Sequence, residues 1–431
     1  DPAIIAEYGL YNDSEMTAYI SQLGQTLAKV SQRPQLTYTF RVLDNPIVNA
    51  FALPGGYVYV TRGILAHFNS EDELAGVLGH EIGHVVARHG AEQMSRVQLA
   101  GLGLGLGSLL SDRFAQFADL AGAGLGLLFL KFSRGQESES DMLGVEYSTR
   151  LGYDSHEMAG FFQTLKNMRD DSGQTLPSFL STHPDPGDRE TQVHALTREW
   201  QAKVPYKPLN KSKYEYLQRI DGIVYGDDPQ QGFVENSMFY HPQLRFQFPV
   251  PGGWNLINTP STVRMANGDK DAAVQLTLGR TSSPAEEADN FVTKLSATVL
   301  SRKSIGVHGF SAVVMESKVA SDNDELQVLS YFIQKNDKVY VFHGFTTTAL
   351  FASHAGTFRN VMNGFDSASD PAMLNKQPLR LSIKKATITG KFAEVLNALG
   401  VKNEMMAELA LLNARTLTEN VEKGEWIKVV H

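Results

Sequence analysis

The chain has 431 residues, 42% of them hydrophobic, 20% charged and 10% aromatic, which exceeds one typical domain and excludes a disordered or fibrous polymer. Against 47 acidic residues stand 39 basic ones, a net charge of −8 without a Lys/Arg cluster, so no nucleic-acid partner is expected. With no cysteine at all, disulfide scaffolds, thiolate zinc sites and cysteine nucleophiles are excluded, and any metal must be held by His, Asp or Glu.

Zero Cys fits an oxidising compartment and also many cytosolic proteins. The chain opens Asp1-Pro2-Ala3 without Met, which is read as a leader removed by processing or by design, taking any signal or lipid-anchor segment with it.

In chain order, Leu36–Val42 and Tyr57–Thr61 are strand-like, the second following the turn signal Pro54-Gly55-Gly56. At Ser70 the pattern becomes helical, with Glu73 at capping-box spacing and apolar residues through Val86. Leu99–Leu110 and Leu120–Phe132 are Gly-, Ala- and Leu-rich but fall short of the roughly 20 residues of a spanning helix, and read as a buried or partner-facing pair. A linker is expected around Lys203–Asn210. From Leu244 the residues alternate in strand fashion, through Ala273–Leu278, Ser311–Glu316, Gln327–Lys335 and Lys338–Phe345, with a helix from Ser283 to about Leu300. The last stretch reads strand, helix, helix, strand: Phe392–Leu399 and Glu404–Asn413 are its helices and Trp426–Val430 closes it.

One motif carries chemistry: His80-Glu81-Ile82-Gly83-His84, within the helix that starts near Ser70. Spacing i, i+4 puts both imidazoles on one helix face, where they can bind one ion with Glu81 beside it as general base. Gly76, Gly79 and Gly83 line one side of this helix. Each glycine costs about 1 kcal/mol there, so a close approach of another element is expected. Two histidines need a third protein ligand, with one position left for water. His89 follows on the same helical pattern and is expected to point elsewhere. The acidic run Ser133–Asp141 is better placed: Glu137 and Asp141 share a face, so one carboxylate can ligate while Asp141 orients a ligand histidine, and Glu139 is the competing ligand.

Four ordered stretches then bear a resemblance. Asn49–Gly63 (NAFALPGGYVYVTRG), His80–His84, Arg134-x-x-Glu137-x-x-x-Asp141, and Ser181-Thr182-His183-Pro184 with Arg189 resemble the zinc endopeptidases of peptidase family M48, over about residues 1–200. The family includes HtpX, the CAAX prenyl proteases and periplasmic chaperone-proteases. It implies one zinc ion held by His80, His84 and Glu137, Glu81 as base, and Asp141 behind the ligands. The family's usual Ala before that Asp is Ser140 here. It implies further that Tyr57–Thr61 is an edge strand to which a substrate peptide adds. His183 becomes a gate or oxyanion-side group, and Arg189 a stabiliser of negative charge. Residues 243–365 resemble small α+β domains of the PsbP and Mog1 type. Residues 379–430 look like a degenerate LysM module, the kind that binds peptidoglycan.

The expected protein is a multidomain α+β chain. A mainly helical zincin (gluzincin) protease domain with a small edge-strand sheet spans 1–202, a linker 203–242, an α+β sheet domain 243–370 and a small βααβ LysM-like module 376–431. The expected function is zinc-dependent endopeptidase of the bacterial periplasm or envelope, acting on protein or peptide substrates. A latent protease serving as chaperone, or a peptidoglycan-anchored adaptor with outer-membrane assembly partners, is the alternative.

Overall fold

The computed structural model describes residues 1–101, 131–172, 179, 182–183, 189–209, 211, 213–320 and 325–431. The two Gly-rich apolar stretches expected as a helical pair lie, but for their ends, outside the described residues. Among those described, no helix is long and apolar enough to cross a membrane.

The first part begins with helices α1 (Pro2–Tyr8) and α2 (Ser14–Lys29), followed by strands β1 (Thr39–Leu43), β2 (Ala50–Leu53) and β3 (Tyr57–Thr61). Helices α3 (Arg62–His67), α4 (Glu71–Val86), α5 (His89–Gly101), α6 (Arg134–Arg150), α7 (His156–Ser172) and α8 (Arg189–Lys203) complete it. In α2, Asp13 caps the first turn by accepting from the Met16 amide at 2.8 Å, and Met16, Ile20, Leu23 and Leu27 recur at helical spacing as the buried stripe. Helix α4 starts as its sequence predicts. Ser70 accepts from the Glu73 amide, and Glu73 accepts from the Asn69 amide at 2.7 Å.

The three glycines of α4 mark its contacts with α6 and α7. A Cβ on Gly79 would lie 3.0 Å from the Cα of Gly144, one on Gly83 3.2 Å from the Cα of Ser140, and one on Gly76 2.7 Å from the Met158 side chain. Backbone therefore touches backbone between α4 and α6, which brings the acidic start of α6 onto the histidine face of α4.

The small sheet corrects one expectation. Its order is β1-β3-β2, with β1 parallel and β2 antiparallel to β3, so Tyr57–Thr61 is the central strand with both edges already paired. No peptide can add beside it. The strand packed against α4 whose outer edge carries no neighbour among the described residues is Ala50–Leu53. Its four residues are too few to show the alternation that marks Tyr57–Thr61.

Residues 203–242, expected as a linker, hold helix α9 (Lys213–Ile220) and strands β4 (Val224–Tyr225), β5 (Phe233–Glu235) and β6 (Met238–His241). The α+β part continues with β7 (Phe246–Pro249), β8 (Asn255–Asn258), β9 (Thr262–Ala266), β10 (Ala272–Leu278), α10 (Pro284–Leu295), β11 (Thr298–Val307), β12 (Phe310–Ala320), β13 (Glu325–Lys335), β14 (Lys338–Thr347), α11 (Phe351–Asn363) and β15 (Asp366–Ser367). An antiparallel sheet of order β11-β12-β13-β14-β10-β9-β8 is covered on one face by α10 and on the other by α11 and the sheet β15-β7-β6-β5. The helix expected to run to about Leu300 stops at Leu295, where Ser296 turns left-handed at φ 50°. Thr298–Val307 instead forms an exposed edge strand, half of whose residues are polar and whose apolar ones do not alternate.

The C-terminal module contains α12 (Pro371–Leu374), β16 (Leu379–Lys385), β17 (Gly390–Lys391), α13 (Phe392–Ala398), α14 (Met406–Leu412), β18 (Asn420–Val421) and β19 (Trp426–Val430). Expected as separate, it shares one continuous apolar core with the first part, running from Met16 to Tyr225 and again from Leu381 to Val429. Strand β4 pairs with β16, and the fully buried Lys428 donates from Nζ to the carbonyls of Ala66 and Phe68, each at 2.8 Å.

Candidate metal centre

His80 and His84 project from one face of α4, as their spacing requires, and their Nε2 atoms lie 3.0 Å apart. From α6, Glu137 reaches the same point, with Oε1 3.4 Å from His84 Nε2 and Oε2 3.7 Å from His80 Nε2. His183 completes the group: its Nδ1 is 2.9 Å from Glu137 Oε1 and 3.3 Å from His80 Nε2. One ligand atom from each of these four buried residues lies within 4.8 Å of the other three.

The surroundings say what such a group suits. Nδ1 of His80 faces Asp141 Oδ1 at 2.9 Å, and Arg189 clasps Asp141 through Nε at 2.7 Å and Nη2 at 2.6 Å. With its Nδ1 proton directed at Asp141, a neutral His80 presents an Nε2 lone pair to the cluster. An uncharged His84 does the same when its Nδ1 donates to His89, 2.9 Å away. Two lone pairs 3.0 Å apart, faced by the carboxylate of Glu137, repel one another unless a cation lies between them. The donor set of imidazoles and a carboxylate is one that zinc takes. The residues present therefore fit a zinc ion.

Electrostatics agree. Burial holds His84 well below the ordinary imidazole range and so neutral. Burial alone would raise Glu137, but the neighbouring imidazoles, His183 foremost with Nδ1 2.9 Å away, outweigh it and hold the carboxyl well below its ordinary range. Asp141 is likewise held down against its burial by Arg189 and His80. Glu81 differs. Burial pushes its carboxyl up, and neither oxygen has a hydrogen-bond partner among the described residues; His183 Nε2 lies 3.6 Å from Oε1. For His183 burial acts downward, yet the carboxylates of Glu137 and Glu81 prevail and raise it.

The structure thus gathers His80, Glu81, His84, Glu137 and His183 at one point. Arg189 stands behind it. Its guanidinium fork is taken up by Asp141, with Nη1 2.9 Å from Glu137 Oε2, so it braces two carboxylates. Glu139, the competing ligand, lies outside the group, its Oε2 3.3 Å from His89 Nε2. His89 stays out of the donor group, as expected, but it does not point away from it. Helix α4 ends at Val86, Arg88 takes φ 62°, and the reversed chain returns His89 against His84, where helical extrapolation past Val86 had sent it away. Arg88 in a left-handed turn carries no sequence signal of the Gly or Asn kind.

Paired helices carrying such a donor set, beside a buried glutamate with no hydrogen-bond partner among the described residues, are what a metallopeptidase-type domain requires. Residues 14–197 match the profile of Peptidase family M48, and this stretch is a domain of that family. The putative β-barrel assembly-enhancing protease of Vibrio cholerae is 34% identical over 222 residues, covering 49% of this chain and 46% of that protein. The mitochondrial metalloendopeptidase OMA1 of Schizosaccharomyces pombe is 32% identical over 210 residues, 46% of this chain and 59% of that one. The chain thus spans about half the length of the curated relatives it matches. Among solved structures, cyanobacterial PsbP from Synechocystis is similar at 15% identity and TM-score 0.27, over 32% of this chain and 96% of that one. The Ran-binding protein Mog1p of Saccharomyces cerevisiae follows at 12% and 0.25, over 33% and 99%.

Proposed function

We propose that this protein is a zinc-dependent endopeptidase that hydrolyses peptide bonds with Glu81 as general base. The observation that carries the reading is the Glu81 carboxyl, buried beside the four gathered donors without a hydrogen-bond partner among the described residues. His80, His84 and Glu137 would hold the ion. Zinc, when bound, supplies Lewis acidity that polarises the scissile carbonyl and makes water acidic near neutral pH. Glu81 accepts the proton of the attacking water and returns it to the leaving nitrogen, a task suited to a carboxyl raised towards neutrality by burial. Asp141 and Arg189 fix the ring and tautomer of His80. The substrate lies extended along the outer edge of Ala50–Leu53, through main-chain hydrogen bonds that tolerate many sequences.

His183 favours a second reading. A catalytic zinc site keeps one position open, and His183 brings a fourth donor to the cluster. The protein would then rest as a latent protease and act mainly as a chaperone or assembly factor. The name of the Vibrio cholerae relative supports placing it in a bacterial envelope, with outer-membrane assembly factors or peptidoglycan as partners.

Cleavage of casein by the zinc-loaded wild type, Glu81→Gln and His183→Ala distinguishes the readings. Activity in the wild type that disappears in Glu81→Gln is expected of the endopeptidase, and activity seen only in His183→Ala of the latent enzyme. Inert wild type and His183→Ala, both with zinc bound, would refute the protease.

A further inference from the structure

His84 belongs at once to the donor cluster and to the wall of a cavity of about 190 Å³ that adjoins it. The rest of that wall includes Leu36, Ala52 and Leu53, from the chain entering the small sheet and from β2, and Val85 from the end of α4. It is apolar, and part of it is built by β2, the strand in contact with α4 whose outer edge carries no neighbour among the described residues. A peptide laid along β2 points alternate side chains to one face, so the strand that aligns the backbone also aims a side chain at this cavity.

Two arginines border the same space. Arg33 is half-buried and Arg88 exposed, and the guanidinium of neither has a carboxylate partner among the described residues. Arg88 moreover holds φ 62°, a conformation that Gly or Asn adopts more easily and that persists only where its surroundings impose it. The chain as a whole carries a net charge of −8, which repels acidic ligands, so two unpaired cations beside the cavity are a local reversal of that field.

We infer that this cavity is a specificity subsite for an apolar side chain, of Leu, Met or Phe, flanked in the bound peptide by Asp or Glu that pair with Arg33 and Arg88. The inference rests on the endopeptidase reading for its substrate, a peptide in extended conformation, but adds which peptides are chosen. Arg33 and Arg88 act on the flanking charges, while Leu36, Leu53 and Val85 receive the side chain. Ala52 and Ala91 keep the cavity open by being small.

Peptide binding to the zinc-loaded Glu81→Gln protein, followed by fluorescence anisotropy, tests the subsite without turnover. Three fluorescein-labelled peptides share one frame and differ at their centre: Glu-Leu-Glu, Lys-Leu-Lys and Glu-Asp-Glu. Glu-Leu-Glu should bind tightest, by about tenfold or more over each of the others. Arg88→Asn, which suits the left-handed turn, and Arg33→Gln should each reduce the advantage over Lys-Leu-Lys about threefold, and less so in high salt. Ala91→Leu, at an exposed position of α5, should fill the cavity and abolish the preference for Leu over Asp. Equal binding of the three peptides, or selectivity unchanged in all three variants, would overturn the subsite. Should one variant fail to fold, the remaining two decide. Wild-type cleavage of the same peptides is scored separately: selective binding without cleavage leaves the subsite standing and removes the endopeptidase reading.

Discussion

His89 Nδ1 lies 2.9 Å from His84 Nδ1, and on its far side His89 Nε2 lies 3.3 Å from Glu139. His84 thus has a backing partner of its own, as His80 has in Asp141, but of a different kind: a neutral ring leading to a half-exposed carboxylate, against a buried carboxylate locked by Arg189. Both fix the tautomer that turns Nε2 towards the metal position. Removing such partners typically weakens metal binding 10–100-fold. His89→Phe is expected to lose about tenfold in zinc affinity with little loss of stability, because a ring still fills the space. Asp141→Asn should lose nearer a hundredfold, since it also removes one of the two buried carboxylates that pair with Arg189. Competition with a chelator of known zinc affinity measures both; equal affinities for wild type and Asp141→Asn would refute the backing role.

The contact between Gly79 and Gly144 sets how far Glu137 stands from the histidines. In an exposed helix Gly→Ala would gain about 1 kcal/mol from propensity. At Gly79 the new Cβ would sit 3.0 Å from the Gly144 Cα, where no flexible side chain can yield. Overpacking of this sort costs about 1–3 kcal/mol, so the loss exceeds the gain. Gly79→Ala should lower the urea midpoint and weaken zinc binding together, whereas Gly160→Ala, where an added Cβ meets nothing within 4 Å, should not weaken zinc binding.

Much of the site could be read from the sequence because its spacing is local. The i, i+4 pair His80 and His84 needs only a helix, and Ser70 with Glu73 announces that helix; the pairing of Glu137 with Asp141 follows the same rule on α6. What escaped was non-local or polar. His89 returns through a left-handed Arg88 that resembles an ordinary helical residue. Tyr57–Thr61 displays β-branched and aromatic alternation but not its neighbours, so the sequence could not say that β2 fills its second edge. Strand β11 is exposed along nearly its whole length and has no apolar period. The union of the C-terminal module with the first part rests on contacts across 360 residues, such as Lys428 with Phe68, which no window of sequence contains.

His183 and Glu81 make opposite predictions about turnover. Glu81→Gln removes a buried carboxyl group neither of whose oxygens has a hydrogen-bond partner among the described residues, and should reduce kcat about 10²–10⁴-fold while zinc content is kept. His183→Ala removes the fourth donor and so opens the position that a substrate carbonyl needs. It should raise cleavage of unfolded protein and lower zinc affinity. A His183→Ala protein that binds zinc normally and cleaves less than wild type would show that His183 serves the reaction and not its restraint.

Lys428 gives stability an unusual dependence on pH. Burial brings its ammonium down from 10.5 to about 7, with nearby Glu73 opposing the shift. Between those values the unfolded chain binds a proton that the folded chain does not, so stability rises with pH across this window, by at most about 1.4 kcal/mol per unit. Glu73 runs the other way. Its burial raises it from 4.5 to about 7, and between those values the folded chain keeps a proton the unfolded chain has lost, so its contribution falls as pH rises. The pair contributes least near neutrality. Lys428→Met removes the upper slope and leaves the Ala66 and Phe68 carbonyls without their donor, at a cost of about 1–3 kcal/mol. Wild type should therefore exceed Lys428→Met in stability by more at pH 9.5 than at pH 7.5, as read from urea midpoints. A constant difference between the two pH values would mean that Lys428 stays charged against the carbonyls at the end of α3.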